Sequence, residues 1–229
     1  MKRFWTAAGA VPAPPGWAVV LDGRPVRTPA KAALVLPTPA LAQAVAAEWD
    51  AQTGEVQPAL MPLTRTANAA IDKVAPMAAA VAEEIARYGA SDLLCYRATG
   101  PAALVARQAA AWDPWLDWCA GQGAPLRATA GIMPVAQPPA SLDVLAAMVA
   151  ARTHFELAAL YDLVAITGSL VLGLAVLRQR LTPEAAFELA CLDEDWQAGQ
   201  WGVDDEAAES ARLKRQAMTD AGRFLRLCR

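Results

Sequence analysis

The sequence predicts an α+β protein in which a small N-terminal β-rich domain with one helix precedes a larger all-helical C-terminal domain. Two patterns support this prediction. The stretch from Phe4 to Leu36 is rich in Val, Thr, Trp, Gly and Pro, whereas apolar residues recur every three or four positions through much of the later chain. Strands that come first and helices that come afterwards are typical of α+β folds. We place the two domains at residues 1–65 and 66–229.

A β-hairpin is predicted around the pair Asp22-Gly23. The pair separates the run Ala18-Val19-Val20-Leu21 from the run Arg24-Pro25-Val26-Arg27. Tight type I′ turns prefer Asp-Gly because both central residues need a positive φ. Gly23 is therefore expected to be a structural residue.

The first helix is predicted to begin at Thr38-Pro39 and to end near Gly54. Threonine caps helix N-termini, and proline is favoured at the first helical position. Leu41, Val45 and Trp49 follow at helical spacing. We expect Trp49 to be a packing residue that joins this helix to the sheet.

Helices are also predicted for most of the remaining chain. An apolar stripe runs from Ile71 to Tyr88, and Thr182-Pro183 repeats the signal for a helix start. Further helices are expected at residues 102–122, with a bend or restart at Pro114, and at residues 142–152, 155–179 and 206–226. The most apolar stretch, residues 163–177, has about 15 residues, whereas a bilayer span needs roughly 20. It is therefore expected to be a buried helix.

The composition argues against several classes of function. The net charge is -3 and no run of Lys or Arg occurs, so we expect neither a nucleic-acid partner nor a membrane-surface function. The short apolar stretch at residues 163–177 also predicts no stable membrane insertion. The four cysteines are scattered without CxxC spacing, and there is one histidine, so no metal site is expected. Scattered cysteines and the lack of a secretion signal favour the cytoplasm.

Motifs of nucleophilic catalysis and of phosphate binding do not occur. There is no Gly-x-Ser-x-Gly elbow, and His154 follows Thr153 at a predicted helix start, where a capping or surface role is typical. No glycine-rich phosphate loop is present, because Gly168 and Gly173 lie within an apolar helical stretch. We therefore expect no catalytic residue and no cofactor.

A group of cations lies beside the predicted hairpin. Arg24, Arg27 and Lys31 form a patch that is able to hold a carboxylate or a phosphate. Charge on a sheet edge also prevents unwanted strand pairing, and this role would explain the three cations even if no ligand binds there. Both interpretations stay open at this point.

The most uneven charge distribution lies near the C-terminus. Residues 182–210, called the acidic segment below, contain nine acidic residues and no basic ones. Acids near helix N-termini suit the helix dipole, and paired carboxylates also serve acid/base or magnesium chemistry. Because two tryptophans interrupt the acids, we favour an interaction surface. The predicted partner-binding residues are Asp193, Glu194, Asp195, Trp196, Trp201, Asp205 and Glu206.

Short segments in a particular order carry a family resemblance. They are Gly16-Trp17, residues 21–29, Leu41-Ala42, residues 48–50, residues 62–65 with Asn68 and Ile71-Asp72, residues 92–97, residues 112–114, residues 167–170, residues 192–197 and Trp201-Gly202. One segment alone is weakly specific, whereas the ordered set is specific. The chain resembles the assembly chaperones of the ATP synthase alpha subunit, from mitochondria and from bacteria, over nearly its whole length.

The resemblance implies a β-containing N-terminal domain, a helical C-terminal domain and a binding function without catalysis. The implied partner is the alpha subunit of F-type ATP synthase. The missing mitochondrial leader suits a bacterial protein of the cytoplasm, with the mitochondrial matrix as the place of eukaryotic relatives. The chain departs from the family pattern at Gly173 and at Leu177-Arg178, which concerns local packing.

We expect the free chain to be a monomer. Two other functions stay open. One is another protein-binding adaptor, and the other is an enzyme in which Arg24 and Arg27 hold an anionic small molecule.

Overall fold

The computed structural model describes residues 2–131, 133–202 and 204–229. Four strands come first and the helices follow, which confirms the predicted α+β class. The later part is not all-helical as predicted, because residues 96–97 and 129–130 form a short pair of parallel strands among the helices. The strands are β1 (Ala8–Ala13), β2 (Gly16–Leu21), β3 (Arg24–Pro25), β4 (Val35–Leu36), β5 (Tyr96–Arg97) and β6 (Thr129–Ala130). The helices are α1 (Pro39–Asp50), α2 (Pro62–Ala69), α3 (Ala78–Arg87), α4 (Ala102–Gly121), α5 (Pro139–Ala150), α6 (His154–Thr167), α7 (Leu170–Leu177), α8 (Pro183–Ala190), α9 (Leu192–Trp201) and α10 (Asp205–Leu227).

The chain divides into two compact units that are not simply consecutive in sequence. The first unit contains the chain up to Ala78 together with Thr153–Ala159 and Arg223–Arg229. The second unit contains Ala79–Arg152 and Leu160–Gly222. The division into domains 1–65 and 66–229 stays a prediction.

The sheet of the first unit is antiparallel and is centred on β2. Its path is β1-β2-β3, and β4 also pairs with β2. The turn between β2 and β3 has φ values of 47° at Asp22 and 79° at Gly23, which confirms the predicted turn. The Asp22 carboxylate accepts hydrogen bonds from the backbone N–H groups of Ala7 and Thr6, and these bonds hold its pKa below the usual value.

Helix α1 packs its apolar face against the sheet. Leu41 and Val45 on the helix and Val19 on β2 are buried, and Thr38 caps the helix by accepting from the Leu41 N–H, as predicted. The helix ends at Asp50, before the predicted end near Gly54. The apolar stripe of α1 therefore forms the core of the first unit.

The predicted helix over residues 71–88 is wrong in its first part. A π-helical turn spans Ala70–Val74, a 3₁₀ turn spans Ala75–Met77, and regular α-helix begins only at Ala78. Pro76 explains the interruption because it has no N–H to donate within the helix. The apolar spacing alone did not reveal this change of helix type.

The predicted continuous helix over residues 155–179 is two helices. Gly168 has a φ of +66°, which ends α6, and the Ser169 hydroxyl accepts from the Leu172 N–H and so begins α7. Every residue of α7 is buried, as predicted for this apolar stretch. By contrast, α4 continues through Pro114. Within the described residues, no helix has the length and apolar character needed to cross a membrane.

Candidate partner-binding surface

Two buried side chains on α4 hold the corner between α8 and α9. The Gln108 amide nitrogen donates to the Asp193 carboxylate over 2.7 Å, and the Trp112 indole N–H donates to the Leu189 carbonyl oxygen over 2.9 Å. Both Gln108 and Trp112 have no solvent-exposed surface. The acidic segment is therefore attached to the interior of the second unit at defined points.

The first turn of α9 presents its carboxylates in different directions. Asp193 is half-buried and pairs with Gln108, whereas Glu194 and Asp195 are exposed. Trp196 is half-buried, so only part of its ring is available to another protein. The predicted partner-binding residues on this helix thus differ in their surroundings.

The region after Trp196 is open to solvent. The Trp201 side chain is 79% exposed, and Gly202, with a φ of +89°, ends α9 behind it. Residues 205–217 of α10, which include Asp205 and Glu206, are all exposed. A large apolar ring therefore stands in solvent next to acidic side chains.

Several acids of the segment have partners within the chain. Glu184 accepts from the Thr219 hydroxyl, Glu188 pairs with Arg215, and Glu209 pairs with Arg212. The Asp204 carboxylate accepts from the Ala207 N–H at the start of α10. The two arginine pairs neutralise part of the negative charge that the sequence alone suggested, and the two hydrogen bonds satisfy the other carboxylates.

Four carboxylates of the segment make no side-chain hydrogen bond or ion pair within residues 2–131, 133–202 and 204–229. They are Glu194, Asp195, Asp205 and Glu206. All four lie in first helical turns, where the helix dipole also favours acids. Their negative charge is free to attract a basic surface.

The two arginines near the hairpin lie apart from the acidic segment in sequence and are exposed. Arg24 lies in β3, and Arg27 donates from its guanidinium to the Lys31 carbonyl oxygen over 2.8 Å. The anion-binding role of Arg24 and Arg27 stays a prediction.

Trp49 lies on α1 and makes an aromatic contact that the sequence did not indicate. Its ring meets that of Trp5 edge to face, with the centroids 5.4 Å apart. Trp5 is buried and Trp49 is half-buried. The packing role of Trp49 between helix and sheet stays a prediction, and Trp5 is an aromatic neighbour outside the strands.

Gln108 supports this surface from the interior and was not predicted from the sequence. Leu104, Gln108 and Trp112 are spaced four residues apart on α4 and are all buried. A polar residue in the middle of an apolar stripe is a signal, because a buried amide requires partners. The spacing of apolar residues on α4 did not indicate that Asp193 is one of the hydrogen-bond partners of Gln108.

The thiols are unsuited to nucleophilic chemistry. Burial raises the pKa of Cys95, Cys119 and Cys228 to about 12. Burial, with the nearby Glu194 and Asp195 carboxylates, raises the pKa of Cys191 to about 11. A protonated thiol is a poor nucleophile. In the described ranges, no three His, Cys, Asp or Glu side chains are grouped closely enough to hold a metal ion.

Comparison with known proteins identifies the family. Residues 2–120 match the family described as "ATP12 chaperone protein". The chain belongs to the ATP12 chaperone family. The predicted family resemblance is therefore confirmed, and the chain is a chaperone by that membership.

Solved structures of related proteins match the fold over the whole chain. Atp12 of Paracoccus denitrificans is 51% identical, with a TM-score of 0.97, and the match covers 100% of this chain and 98% of the other. An Asp-to-Lys variant of Atp12p from P. denitrificans is 50% identical, with a TM-score of 0.98 and the same coverage. A protein of Agrobacterium tumefaciens is 44% identical, with a TM-score of 0.94, and the match covers 100% of this ATP12 chain and 86% of that one.

Proposed function

We propose that this chain binds the free alpha subunit of F-type ATP synthase, prevents its aggregation and enables its assembly with beta subunits into the catalytic ring. The observation that carries the proposal is membership in the ATP12 chaperone family. The ordered segments that resemble alpha-subunit assembly chaperones extend over nearly the whole chain and support the same partner.

The ring itself explains why the alpha subunit would need a chaperone. Alpha and beta subunits alternate in the ring, so a free alpha subunit exposes apolar surface that later meets beta. An open heterologous surface invites self-association that does not close. A chaperone that covers this surface keeps the subunit in solution, and it must leave when beta competes for the same place.

The acidic segment is our candidate for the surface that holds the alpha subunit. Trp201 supplies an exposed apolar anchor, and Glu194, Asp195, Asp205 and Glu206 supply negative charge without partners in the described chain. Large aromatic side chains contribute binding energy, whereas charged rims set orientation and association rate. Salt screens such charges, so the affinity should fall as ionic strength rises.

The proposal also includes the mode of action, the location and the oligomeric state of the chain. The chain acts by binding alone, without catalysis, cofactor or nucleic acid. It acts in the bacterial cytoplasm and is a monomer when free. Gel filtration of the purified chain tests the last point, since a dimer would elute at about twice the monomer mass.

Co-expression tests the partner. The chain is expressed with the alpha subunit and, separately, with the beta subunit of the same ATP synthase, and soluble complexes are isolated without added ATP. We expect a soluble one-to-one complex with alpha and none with beta. Aggregation of alpha despite the chaperone, with no complex recovered, would reject the proposed function.

Charge reversal tests the surface. The double variant Glu194→Lys with Asp195→Lys is compared with Asp117→Lys with Asp143→Lys, which reverses two exposed charges elsewhere. We expect only the first variant to lose affinity for alpha, by about tenfold or more, as close interfacial charge pairs do. Equal affinities would show that α9 does not face the alpha subunit.

A further inference from the structure

We infer that Gln108 is a positioning residue that sets the rotation of α9 and so presents Glu194 and Asp195 to the partner. The inference rests on the proposed function for its final step. Its structural part, the Gln108 bridge, consists of Ala98, Gln108 and Asp193. Hydrogen exchange, which needs no partner, is the measurement that tests the bridge.

The Gln108 bridge joins three segments that are distant in sequence. The Ala98 N–H donates to the Gln108 amide oxygen over 2.8 Å, and the Gln108 amide nitrogen donates to the Asp193 carboxylate over 2.7 Å. A backbone N–H requires an acceptor and a carboxylate requires a donor, so the two partners define the orientation of the amide. Both ends of the buried side chain are therefore used.

Burying the Gln108 bridge costs desolvation free energy, so the fold favours the one rotation of α9 that satisfies its hydrogen bonds. A buried amide loses its hydration, and leaving either end without a partner costs more than a typical hydrogen bond contributes. The bond to Asp193 is charge-assisted, which makes it one of the stronger kinds. A rotation of α9 that withdrew Asp193 would leave the Gln108 amide unsatisfied in the interior.

Because α9 is a regular helix, fixing the position of Asp193 also determines the directions in which Glu194 and Asp195 point. Successive residues of an α-helix are rotated by about 100°, so Glu194 is turned by about 100° and Asp195 by about 200° from Asp193. The exposures agree with this rotation, because Asp193 and Trp196 are half-buried while Glu194 and Asp195 are exposed. Fixing Asp193 against α4 thus turns the two free carboxylates outward.

A second contact from α4 holds the preceding helix. Trp112 lies one turn after Gln108, and its indole N–H donates to the carbonyl oxygen of Leu189 in the last turn of α8. The Arg97 guanidinium lies 5.3 Å from the Trp112 ring centroid and pairs with Asp113 over 2.8 Å, which holds the indole in place. With the end of α8 fixed, the Gln108 bridge and the burial of Leu192 together set the rotation of α9, and the bridge is the polar contact of the two.

Hydrogen exchange of the whole purified chain tests the bridge directly. Gln108→Met keeps the length and volume of the side chain but removes both hydrogen bonds. Its control is Gln43→Met, the same substitution at an exposed helical position. We expect Gln108→Met to raise amide exchange in residues 192–201 by about tenfold or more, with exchange in residues 170–177 unchanged, and the control to change neither. Unchanged exchange in residues 192–201 would overturn the inference, whether or not the chain binds the alpha subunit.

Two conservative variants test whether Asp193 positions α9 or contacts the alpha subunit directly. They also test the inference if Gln108→Met does not fold. Asp193→Asn removes one charge but keeps the oxygen that accepts from Gln108, whereas Asp195→Asn removes one charge from an exposed position. We expect the Kd for the alpha subunit to stay within about twofold for Asp193→Asn and to rise by about fivefold to tenfold for Asp195→Asn. An equal rise in both variants, with exchange of α9 unchanged, would make Asp193 a direct contact and overturn its positioning role.

Discussion

The Asp92 carboxylate accepts a hydrogen bond from the Ser169 hydroxyl over 2.8 Å, although the two residues are 77 positions apart. The same carboxylate accepts from the backbone N–H groups of Val171 and Leu94. Asp92 therefore holds the first turn of α7 next to the short 3₁₀ turn at Leu93–Cys95. It is fully buried, and burial raises its pKa to about 6 even though these donors act in the opposite direction.

The buried Asp92 carboxylate makes the stability of the folded chain depend on pH. Because the folded pKa of Asp92 is raised from 3.8 to about 6, the folded state binds its proton more tightly than the unfolded state. The resulting stability is fully present below pH 3.8 and is lost as the pH rises through 6. The gap between the two pKa values corresponds to about 3 kcal/mol.

The measurement is the free energy of unfolding of the wild type minus that of Asp92→Asn between pH 4 and pH 8. We expect this difference to fall as the pH rises to about 6 and then to level off. A difference that grows with pH would mean that the three donors lower the pKa of Asp92 below its unfolded value.

Gly222 provides a steric prediction. A Cβ atom at this position of α10 would lie 2.1 Å from Cγ of Pro183, and a proline ring has little freedom to move away. We expect Gly222→Ala to lower the free energy of unfolding by about 1–3 kcal/mol, as overpacking does. The control is Gly199→Ala on exposed α9, where a Cβ meets nothing within 4 Å and should stabilise the helix slightly. Urea denaturation measures the free energy of unfolding of both variants. Equal changes in the two variants would contradict the close packing of α10 on Pro183.

Glu48 provides a prediction about a helix cap. Its two carboxylate oxygens accept from the Leu63 N–H, the Thr64 N–H and the Thr64 hydroxyl at 2.7–2.8 Å, which satisfies the N-terminus of α2. Glu48→Gln replaces one acceptor oxygen by a donor that faces these groups. We expect a loss of about 2 kcal/mol in thermal or urea unfolding. Glu194→Gln, at an exposed acid without a partner, should stay within about 0.5 kcal/mol, and a similar loss in both would argue against the cap.

The sequence predicted the features whose signals are local. Asp22-Gly23 and Thr38-Pro39 act through neighbouring residues, so their types and order sufficed. The split at Gly168 was missed because the apolar residues continue on both sides of it. An apolar pattern reports burial but not the backbone conformation of one residue inside it.

The long-range polar pairs could not be predicted from the sequence. Gln108 and Asp193 are 85 positions apart, and neither spacing nor composition indicates that they meet. The charge count of the acidic segment likewise gave no sign that Glu188 would pair with Arg215, 27 positions away. The segment was recognised as acidic, but its four carboxylates without partners became identifiable only in the folded chain.

The same substitution should distinguish a packing tryptophan, Trp49, from a binding tryptophan, Trp201. Trp49 meets buried Trp5 edge to face at 5.4 Å, so Trp49→Glu would place a charge against an apolar ring. We expect this variant to lose several kcal/mol of unfolding free energy, about 3–5, as large core lesions do. Trp201 is 79% exposed, so Trp201→Glu should leave the melting temperature nearly unchanged and weaken binding of the alpha subunit. Thermal melts measure the stability of both variants, and a binding titration measures their affinity for the alpha subunit. Loss of binding by Trp49→Glu at an unchanged melting temperature would instead place Trp49 on the binding surface, because a residue that only packs within the first unit cannot alter affinity without altering stability.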